Sequence, residues 1–156
     1  MVFTLIICTY KRSQPLLKLL LSVQHQTLYP NEILIVDGSP DDFTKEILNQ
    51  NSFQGLKYFK VDETDRGLTK QRNYGIARVQ EASEVVCFLD DDTVLEPTYF
   101  EEIIKTYTLF PETLGVGGYI TNETNWTKTT SDYQAKVNEF YYDGWKRKEG
   151  SRFVWR

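Results

Sequence analysis

Short apolar runs alternate with helical patterns over the first 120 residues of the chain. Continuous apolar runs rich in β-branched side chains are typical of strands that are covered on both faces. Such runs predict strands at residues 2–8, 33–36, 56–61 and 85–89, followed by a glycine-rich strand at 115–120. Between the strands, the pattern predicts one helix that follows Ser13 and three more at residues 42–50, 68–79 and 97–107.

The first predicted helix has clear start signals. Ser13 is a candidate N-cap, and Pro15 falls in the first turn, where its missing N–H group costs nothing. One face of this helix is apolar, which predicts contact with a hydrophobic core. That face consists of Leu16, Leu19, Leu20 and Val23.

Strands that alternate with helices predict an α/β fold. Right-handed helical crossovers then join the strands into a doubly wound, mainly parallel sheet with helices on both faces. We interpret residues 1–156 as a single domain in which residues 1–120 form the core. Residues 121–156 are polar and aromatic; Tyr133, Val137 and Phe140 have the spacing of a last helix, whereas other aromatic residues are candidates for a binding surface.

Composition and charge exclude several classes of protein. The chain is 40% hydrophobic and 26% charged, which argues against disorder, and its net charge of −4 argues against nucleic acid as the main partner. No apolar run approaches the ~20 residues of a transmembrane helix. Cys8 and Cys87 lie in apolar runs and read as free thiols. We therefore expect a cytoplasmic protein, including a peripheral position at the inner membrane face.

Three adjacent carboxylates, Asp90, Asp91 and Asp92, follow the apolar run at residues 85–89. Like charges repel one another, so a bound cation is a physical reason to gather them. Mg²⁺ and Mn²⁺ prefer oxygen ligands, and Mg²⁺ is usually held by one or two carboxylates together with substrate phosphates. The alternative is a solvated acidic turn.

Polar residues follow each of the first four predicted strands. In an open parallel sheet, ligands bind outside the carboxyl ends of the strands. This rule brings four polar groups of residues to one edge. They are Thr9–Arg12, Asp37, Asp65–Gly67 and Asp90–Asp92.

These residues suit a nucleoside diphosphate. Asp37 can accept a hydrogen bond from a base or ribose, and Tyr10 offers a ring for stacking. Cationic side chains can balance the phosphate charge, and Gly67 permits a close backbone approach before a helix. The cationic candidates are Arg12, Arg66, Lys70 and Arg72. The alternative for Arg66 and Lys70 is a solvated helix start, and for Arg72 and Asn73 a surface pair.

Four segments together resemble glycosyltransferase family 2, and the resemblance covers roughly residues 2–120. The segments are Ile6–Arg12, Ile35–Asp41, Gly67–Ile76 and Phe88–Asp92. The resemblance implies the GT-A fold and a metal-dependent, inverting transfer of a sugar from a nucleoside-diphosphate sugar (UDP-, GDP- or dTDP-linked) to an acceptor hydroxyl. The implied cofactor is Mg²⁺ or Mn²⁺, and the implied acceptor is a glycan or a lipid-linked molecule of polysaccharide biosynthesis.

The resemblance also implies roles for individual residues. Thr9, Tyr10 and Asp37 are expected to contact the nucleoside, and Arg72 and Asn73 to shape the donor pocket. The acidic triplet is similar to the family's DXD motif, with Asp90 and Asp91 towards the ribose. Asp92 is then the main metal ligand and Asp90 a second candidate. The glycine-rich segment at residues 115–118 is similar to a segment near the acceptor side. We therefore expect residues 1–120 to be the donor-binding core and residues 121–156 to be the start of the acceptor-side region.

The chain departs from the family pattern at several places. Cys8 stands where many members have Pro, Lys11 where they have Asn, and Asp37 lacks a neighbouring acid. No downstream acidic pair identifies the catalytic base; the candidates without matching context are Asp132, Glu139, Asp143 and Glu149. We therefore expect this chain to be the donor-binding part of a longer protein.

Two alternatives differ in function. A module that binds a nucleotide sugar without transferring it fits the unassigned base. A haloacid-dehalogenase-like phosphatase fits the acidic triplet followed by Thr93 and Val94, but those proteins carry the nucleophilic Asp on their first strand. A sugar nucleotidyltransferase would need a glycine-rich phosphate loop near the N-terminus, which the sequence lacks.

Overall fold

A computed structural model describes residues 1–118 and two short strands beyond them. The strands are β1 (Phe3–Thr9), β2 (Glu32–Asp37), β3 (Leu56–Lys60), β4 (Val85–Asp90), β5 (Phe140–Tyr142) and β6 (Trp145–Arg147). The helices are α1 (Ser13–Gln24), α2 (Phe43–Asn49), α3 (Leu68–Ile76) and α4 (Tyr99–Leu109). The chain divides into two compact units, Met1–Gly118 and Tyr119–Arg156.

The first unit contains a parallel four-stranded sheet with the order β3-β2-β1-β4. The register places Thr9 beside Asp37 on one side of β1 and Cys8 beside Asp90 on the other. The chain therefore builds the sheet outward from β1 to β3 and then returns to add β4 on the opposite side of β1. This reversal creates a crevice between the carboxyl ends of β1 and β4.

Helices cover both faces of this sheet, as the sequence predicts. On one face, β1 contributes Phe3, Leu5 and Ile7 to a core that also contains the apolar faces of α1 and α4. On the other face, α3 lies so close to β1 that a Cβ on Gly75 would be 2.8 Å from Cγ2 of Ile6. Glycine at this position therefore permits the close contact between helix and sheet.

Most predicted elements are confirmed, and α1 buries Leu16, Leu19, Leu20 and Val23. The predicted capping by Ser13 is wrong: α1 begins at Ser13, Arg12 precedes it, and no side chain caps the helix. The predicted strand at residues 115–120 is also wrong for residues 115–118, which form no regular element. Leu114 before them is fully exposed, and of these four residues only Val116 is partly buried, so the described part of the chain gives this glycine-rich segment little burial to favour a strand.

In the second unit, β5 and β6 form an antiparallel pair. Phe140 therefore belongs to a strand and not to the predicted last helix, while Tyr133, Val137 and the residues at 119–120 lie outside the described part of the chain. Within the described residues, no helix is both long and apolar enough to cross a membrane.

Candidate functional site

A cleft of about 460 Å³ opens where β1 and β4 end. It lies in the crevice created by the reversal of strand order, which is where ligands bind in doubly wound sheets. Its walls come from the loop after β1, the start of α3 and the loop after β4. The lining residues are Cys8, Thr9, Tyr10, Arg12, Arg66, Gly67, Leu68, Gln71, Asp90, Asp91 and Asp92.

Asp91 is the buried member of the acidic triplet, with a side chain that is 7% exposed. The hydroxyl of Thr9 donates to its Oδ2 at 2.7 Å, and Nη1 of Arg12 donates to its Oδ1 at 2.9 Å. Both carboxylate oxygens are therefore engaged by β1 and the loop after it. The hydrogen bond to Asp91 and the negative charge of that carboxylate raise the pKa of the Arg12 guanidinium above its ordinary value. Asp91 joins the loops after β1 and β4.

Asp92 and Asp90 point into more open surroundings. Asp92 is half exposed, and its Oδ2 lies 3.0 Å from Nη1 of Arg12. Asp90 is more exposed and pairs with Nη2 of Arg72 at 3.3 Å. Asp91 and Asp92 therefore share Arg12, whereas Asp90 pairs with Arg72. Among the described residues, no three acidic, histidine or cysteine side chains converge on one point that could hold a metal ion.

The carboxylate oxygens of the triplet are nevertheless suitable ligands for Mg²⁺ or Mn²⁺ when substrate phosphates share the coordination of the ion. Carboxylate oxygens are hard ligands, and Mg²⁺ needs only one or two of them when substrate phosphates complete its coordination. The carboxylate of Asp92 is half exposed and faces the cleft, so it can take that role. The ion would then depend on a phosphate ligand as well as on the protein.

Gln71 is a buried residue of α3 to which sequence analysis assigned no role. Its Nε2 donates to the carbonyl of Thr9 at 3.0 Å and to the carbonyl of Val36 at 2.8 Å. Its Oε1 accepts from the backbone N–H of Gly67 at 3.2 Å. One side chain thus joins the start of α3 to the ends of two strands. A glutamine within a helix carries no local signal for such a contact.

Gly67 lies at the start of the cleft wall that α3 forms, and its backbone conformation favours glycine. Its φ of +117° is strained for residues that carry a Cβ. Gly67 directly precedes α3, and the start of this helix lines the cleft through Gly67 and Leu68. The predicted close backbone approach before a helix fits this geometry.

Asp37 lies at the end of β2 and is fully buried. Its Oδ1 accepts hydrogen bonds from the backbone N–H and the hydroxyl of Ser39, and its Oδ2 accepts from the hydroxyl of Tyr58 at 3.0 Å. Burial, reinforced by the negative charge of Asp37, raises the pKa of Tyr58. The backbone N–H of Lys11 donates to the hydroxyl of Ser39 at 2.8 Å. Asp37 thus organises the neighbouring loops and is not a lining residue of the cleft.

The cationic candidates separate into two groups. Arg66 lines the cleft, donates through Nε to the carbonyl of Gly38 at 2.8 Å, and places its guanidinium 5.5 Å from the ring centre of Tyr10. Arg72 reaches the cleft only through its pair with Asp90. Lys70 turns to the carbonyl of Thr64 at 2.7 Å, and Asn73 is exposed on α3; neither lines the cleft.

Both cysteines are free and half-buried. Burial raises the pKa of the Cys8 thiol to about 11, so the thiol in the cleft wall stays neutral at physiological pH. The four candidates for a catalytic base, Asp132, Glu139, Asp143 and Glu149, all lie outside the described residues.

Comparison with known proteins agrees with this geometry. A family model described as "Glycosyl transferase family 2" matches residues 4–154. The glucosyl-dolichyl phosphate glucuronosyltransferase of Haloferax volcanii is 27% identical over 143 residues, which cover 88% of this chain and 41% of that protein. The chain therefore spans less than half the length of this curated relative.

Solved structures show the same fold. S. aureus TarS 1-349 in complex with UDP-GlcNAc has a TM-score of 0.60 at 22% identity, and the match covers 79% of this chain and 39% of that one. The mannosyltransferase PcManGT of Pyrobaculum calidifontis, in complex with GDP-Man and Mn²⁺, has a TM-score of 0.54 at 23% identity, over 74% of this chain and 33% of that one.

Proposed function

The chain belongs to glycosyltransferase family 2. We therefore propose that it binds a nucleoside-diphosphate sugar in the cleft between β1 and β4 and takes part in the transfer of the sugar to an acceptor hydroxyl. The observation that carries this proposal is the meeting of cationic, aromatic and acidic side chains at the switch point of a parallel sheet. Arg66 and Tyr10 offer a charged and a stacking surface, and the acidic triplet faces them across the same cleft.

The proposed donor consists of a nucleoside, a diphosphate and a sugar. UDP-, GDP- and dTDP-linked sugars all fit, and complexes with UDP-GlcNAc and with GDP-Man are known for structural neighbours. We place the nucleoside near Tyr10 and Thr9 and the diphosphate between Arg66 and the acidic triplet. Asp37 then supports the loop that meets the nucleoside, since its own oxygens are already bonded to Ser39 and Tyr58.

The proposed reaction inverts the anomeric carbon in one displacement. The oxygen of the acceptor hydroxyl attacks that carbon, its proton passes to a carboxylate base, and the bond to the diphosphate oxygen breaks. The chain's own residues bind and orient the donor for this attack. When bound, Mg²⁺ or Mn²⁺ supplies charge stabilisation for the leaving diphosphate, and Asp92 is the proposed ligand.

The proposed acceptor is a glycan or a lipid-linked sugar. Support comes from the printed names of two relatives, a glucosyl-dolichyl phosphate glucuronosyltransferase and a GalNAc(5)-diNAcBac-PP-undecaprenol β-1,3-glucosyltransferase of Campylobacter jejuni. The proposed location is the cytoplasmic side of a membrane that holds such acceptors. The phosphatase alternative is not favoured, because a family model of glycosyltransferases matches nearly the whole chain.

Calorimetry with a panel of nucleotide sugars, with and without Mn²⁺, tests the proposal. We expect one member of the panel to bind and Asp92→Ala to lose the metal-dependent part of that binding. Glu96→Ala, which removes an exposed acid outside the cleft in the same loop, is the matched control and should bind as the wild type does. Absence of binding by every member of the panel would refute the proposal, and binding without sugar transfer or donor hydrolysis would reduce it to a donor-binding module.

A further inference from the structure

The guanidinium of Arg12 lies directly on the two acids nearest to the proposed metal position. Its Nη1 is 2.9 Å from Oδ1 of Asp91 and 3.0 Å from Oδ2 of Asp92. A single nitrogen makes both contacts, and half of the Arg12 side chain stays exposed, at 51%. The Arg12 head therefore occupies the position from which a cation would contact Asp92.

The negative charge of the triplet explains why the guanidinium of Arg12 lies beside it. Asp90, Asp91 and Asp92 together carry three negative charges, and Asp91 is almost fully buried. Arg12 neutralises part of this charge from the side of β1, and Arg72 pairs with Asp90 from the side of α3. Both arginines stay charged at every physiological pH. The cluster is thus largely compensated without any metal ion.

We propose that Arg12 is a built-in counter-cation that competes with the divalent ion for Asp92, so that the ion binds together with a nucleoside diphosphate and only weakly alone. This inference rests on the proposed function. A divalent ion on Asp92 would repel the nearby guanidinium unless that group moves away. Diphosphate oxygens offer the guanidinium a new partner of matching geometry.

The contacts of Arg12 with Asp91 and with Asp92 respond differently when a diphosphate and a divalent ion bind. Asp91 is held from the other side by the Thr9 hydroxyl and is shielded from water, so its bond to Arg12 persists. Asp92 is half exposed and can change its partner at little cost. The guanidinium can therefore leave Asp92 for a phosphate while it keeps Asp91. Donor and ion would then strengthen each other's binding, by the same factor in both directions.

Binding of Mn²⁺ alone, measured by electron paramagnetic resonance without any nucleotide, tests the proposal directly. We expect Arg12→Gln to bind Mn²⁺ about tenfold more tightly than the wild type, since removal of one nearby positive charge favours the ion. Arg78→Gln is the matched control, because Arg78 stacks on the ring of Tyr74 and does not line the cleft. It should bind Mn²⁺ as the wild type does.

A second measurement compares Mn²⁺ binding with and without UDP, GDP or dTDP. The wild type should gain more affinity from the nucleotide than Arg12→Gln gains. Arg12→Lys retains the charge and should resemble the wild type. Equal Mn²⁺ affinity of wild type and Arg12→Gln overturns the proposal and leaves Arg12 as an anchor for Asp91. If Arg12→Gln does not fold, tight binding of Mn²⁺ to the wild type without nucleotide overturns it as well.

These outcomes are separate from those that test the donor site. If the wild type binds a nucleotide sugar with Mn²⁺ but Arg12→Gln shows unchanged affinity for Mn²⁺, the competition is refuted and the proposed function stands. If Arg12→Gln binds Mn²⁺ more tightly but no nucleotide sugar binds to either protein, the competition stands and the proposed function fails.

Discussion

The side chain of Gln71 donates a hydrogen bond to the backbone carbonyl of Thr9, at 3.0 Å, across 62 residues of sequence. A second bond from the same nitrogen reaches the carbonyl of Val36. These carbonyls lie at the carboxyl ends of β1 and β2, and the carbonyl of Thr9 also accepts from the backbone N–H of Gly38 at 3.1 Å. Gln71 therefore holds α3, and with it one wall of the cleft, against the edge of the sheet that carries Thr9 and Asp37.

We expect Gln71→Met to lower the free energy of unfolding by about 2 kcal/mol. Methionine fills a similar volume but makes none of the three hydrogen bonds of the Gln71 side chain, and each such bond contributes about 0.5–1.5 kcal/mol. Urea unfolding followed by circular dichroism measures the loss. Gln14→Met, on an exposed position of α1, is the control and should change stability little. Equal effects of the two substitutions would contradict the bridging role of Gln71.

Tyr58→Phe should lower stability by about 1 kcal/mol at neutral pH, because Oδ2 of the buried Asp37 loses a donor. The same variant should reduce the affinity for the donor nucleoside, since Asp37 organises the loop beside the cleft. Urea unfolding and calorimetry with the nucleotide that binds the wild type give the two values. Tyr107→Phe, in α4 and outside the cleft, serves as control for nucleotide affinity and should not alter it.

The raised pKa of Tyr58 also leads us to expect that the free energy of unfolding depends on pH in the alkaline range. Burial raises the folded-state pKa of Tyr58 above its ordinary value of 10.0. A raised folded-state pKa gives stability that is complete below the unfolded-state value and is lost as pH rises through the window between the two. Stability of the wild type should therefore fall above about pH 10. The decline should be shallower in Tyr58→Phe, and parallel curves would show that Tyr58 does not titrate as proposed.

For Glu32 we expect the opposite behaviour: its contribution to the free energy of unfolding should be lost as pH falls. Burial alone would raise its pKa, but hydrogen bonds from Lys57, the N–H of Gln80 and Thr4 outweigh burial and lower the pKa below 4.5. A lowered folded-state pKa gives stability above the unfolded-state value that is lost as pH falls. Glu32→Gln should be less stable than the wild type at pH 7. The difference should shrink below about pH 4.5, and urea unfolding across this range measures it.

Among the residues that the structure describes, Lys11 is the non-glycine residue with a positive φ, at 54°. Such a conformation costs a residue with a Cβ roughly 1 kcal/mol, and Asn tolerates it better than Lys. We expect Lys11→Asn to raise the melting temperature by a few degrees. Lys18→Asn, within α1, is the contrasting control and should lower it because Asn is the poorer helix former. A loss of stability in Lys11→Asn would show that the Lys11 side chain contributes more than its backbone costs.

The sequence was sufficient to predict the alternation of strands and helices and the edge of the sheet at which the cleft opens. Apolar runs and periodic faces are local signals, and the β1 and α1 patterns appear in the structure with small shifts at their ends. The strand at residues 115–118 failed because glycine-rich apolar segments need a partner to become a strand, and the pattern alone does not provide one.

The candidate site was predicted only in part. The acids after β4 and the polar residues after β1 are visible because they interrupt apolar runs. Gln71, Ser39 and Tyr58 were missed, since their roles depend on bonds to residues distant in sequence. Lys70 was predicted as a cation for the phosphates and Asn73 from the family resemblance. Neither lines the cleft, since a helix turns successive side chains by about 100°, so their roles stay predictions.

The amino-acid sequence by itself determined which segments are strands and helices, because periodicity and apolar runs act over a few neighbouring residues. It also determined which types of chemical group gather at the carboxyl edge of the sheet. Tertiary structure alone decided which of these groups face one another. The contacts of Arg12 with Asp91 and Asp92 join positions about 80 residues apart, and such pairs exist only after β4 is placed beside β1.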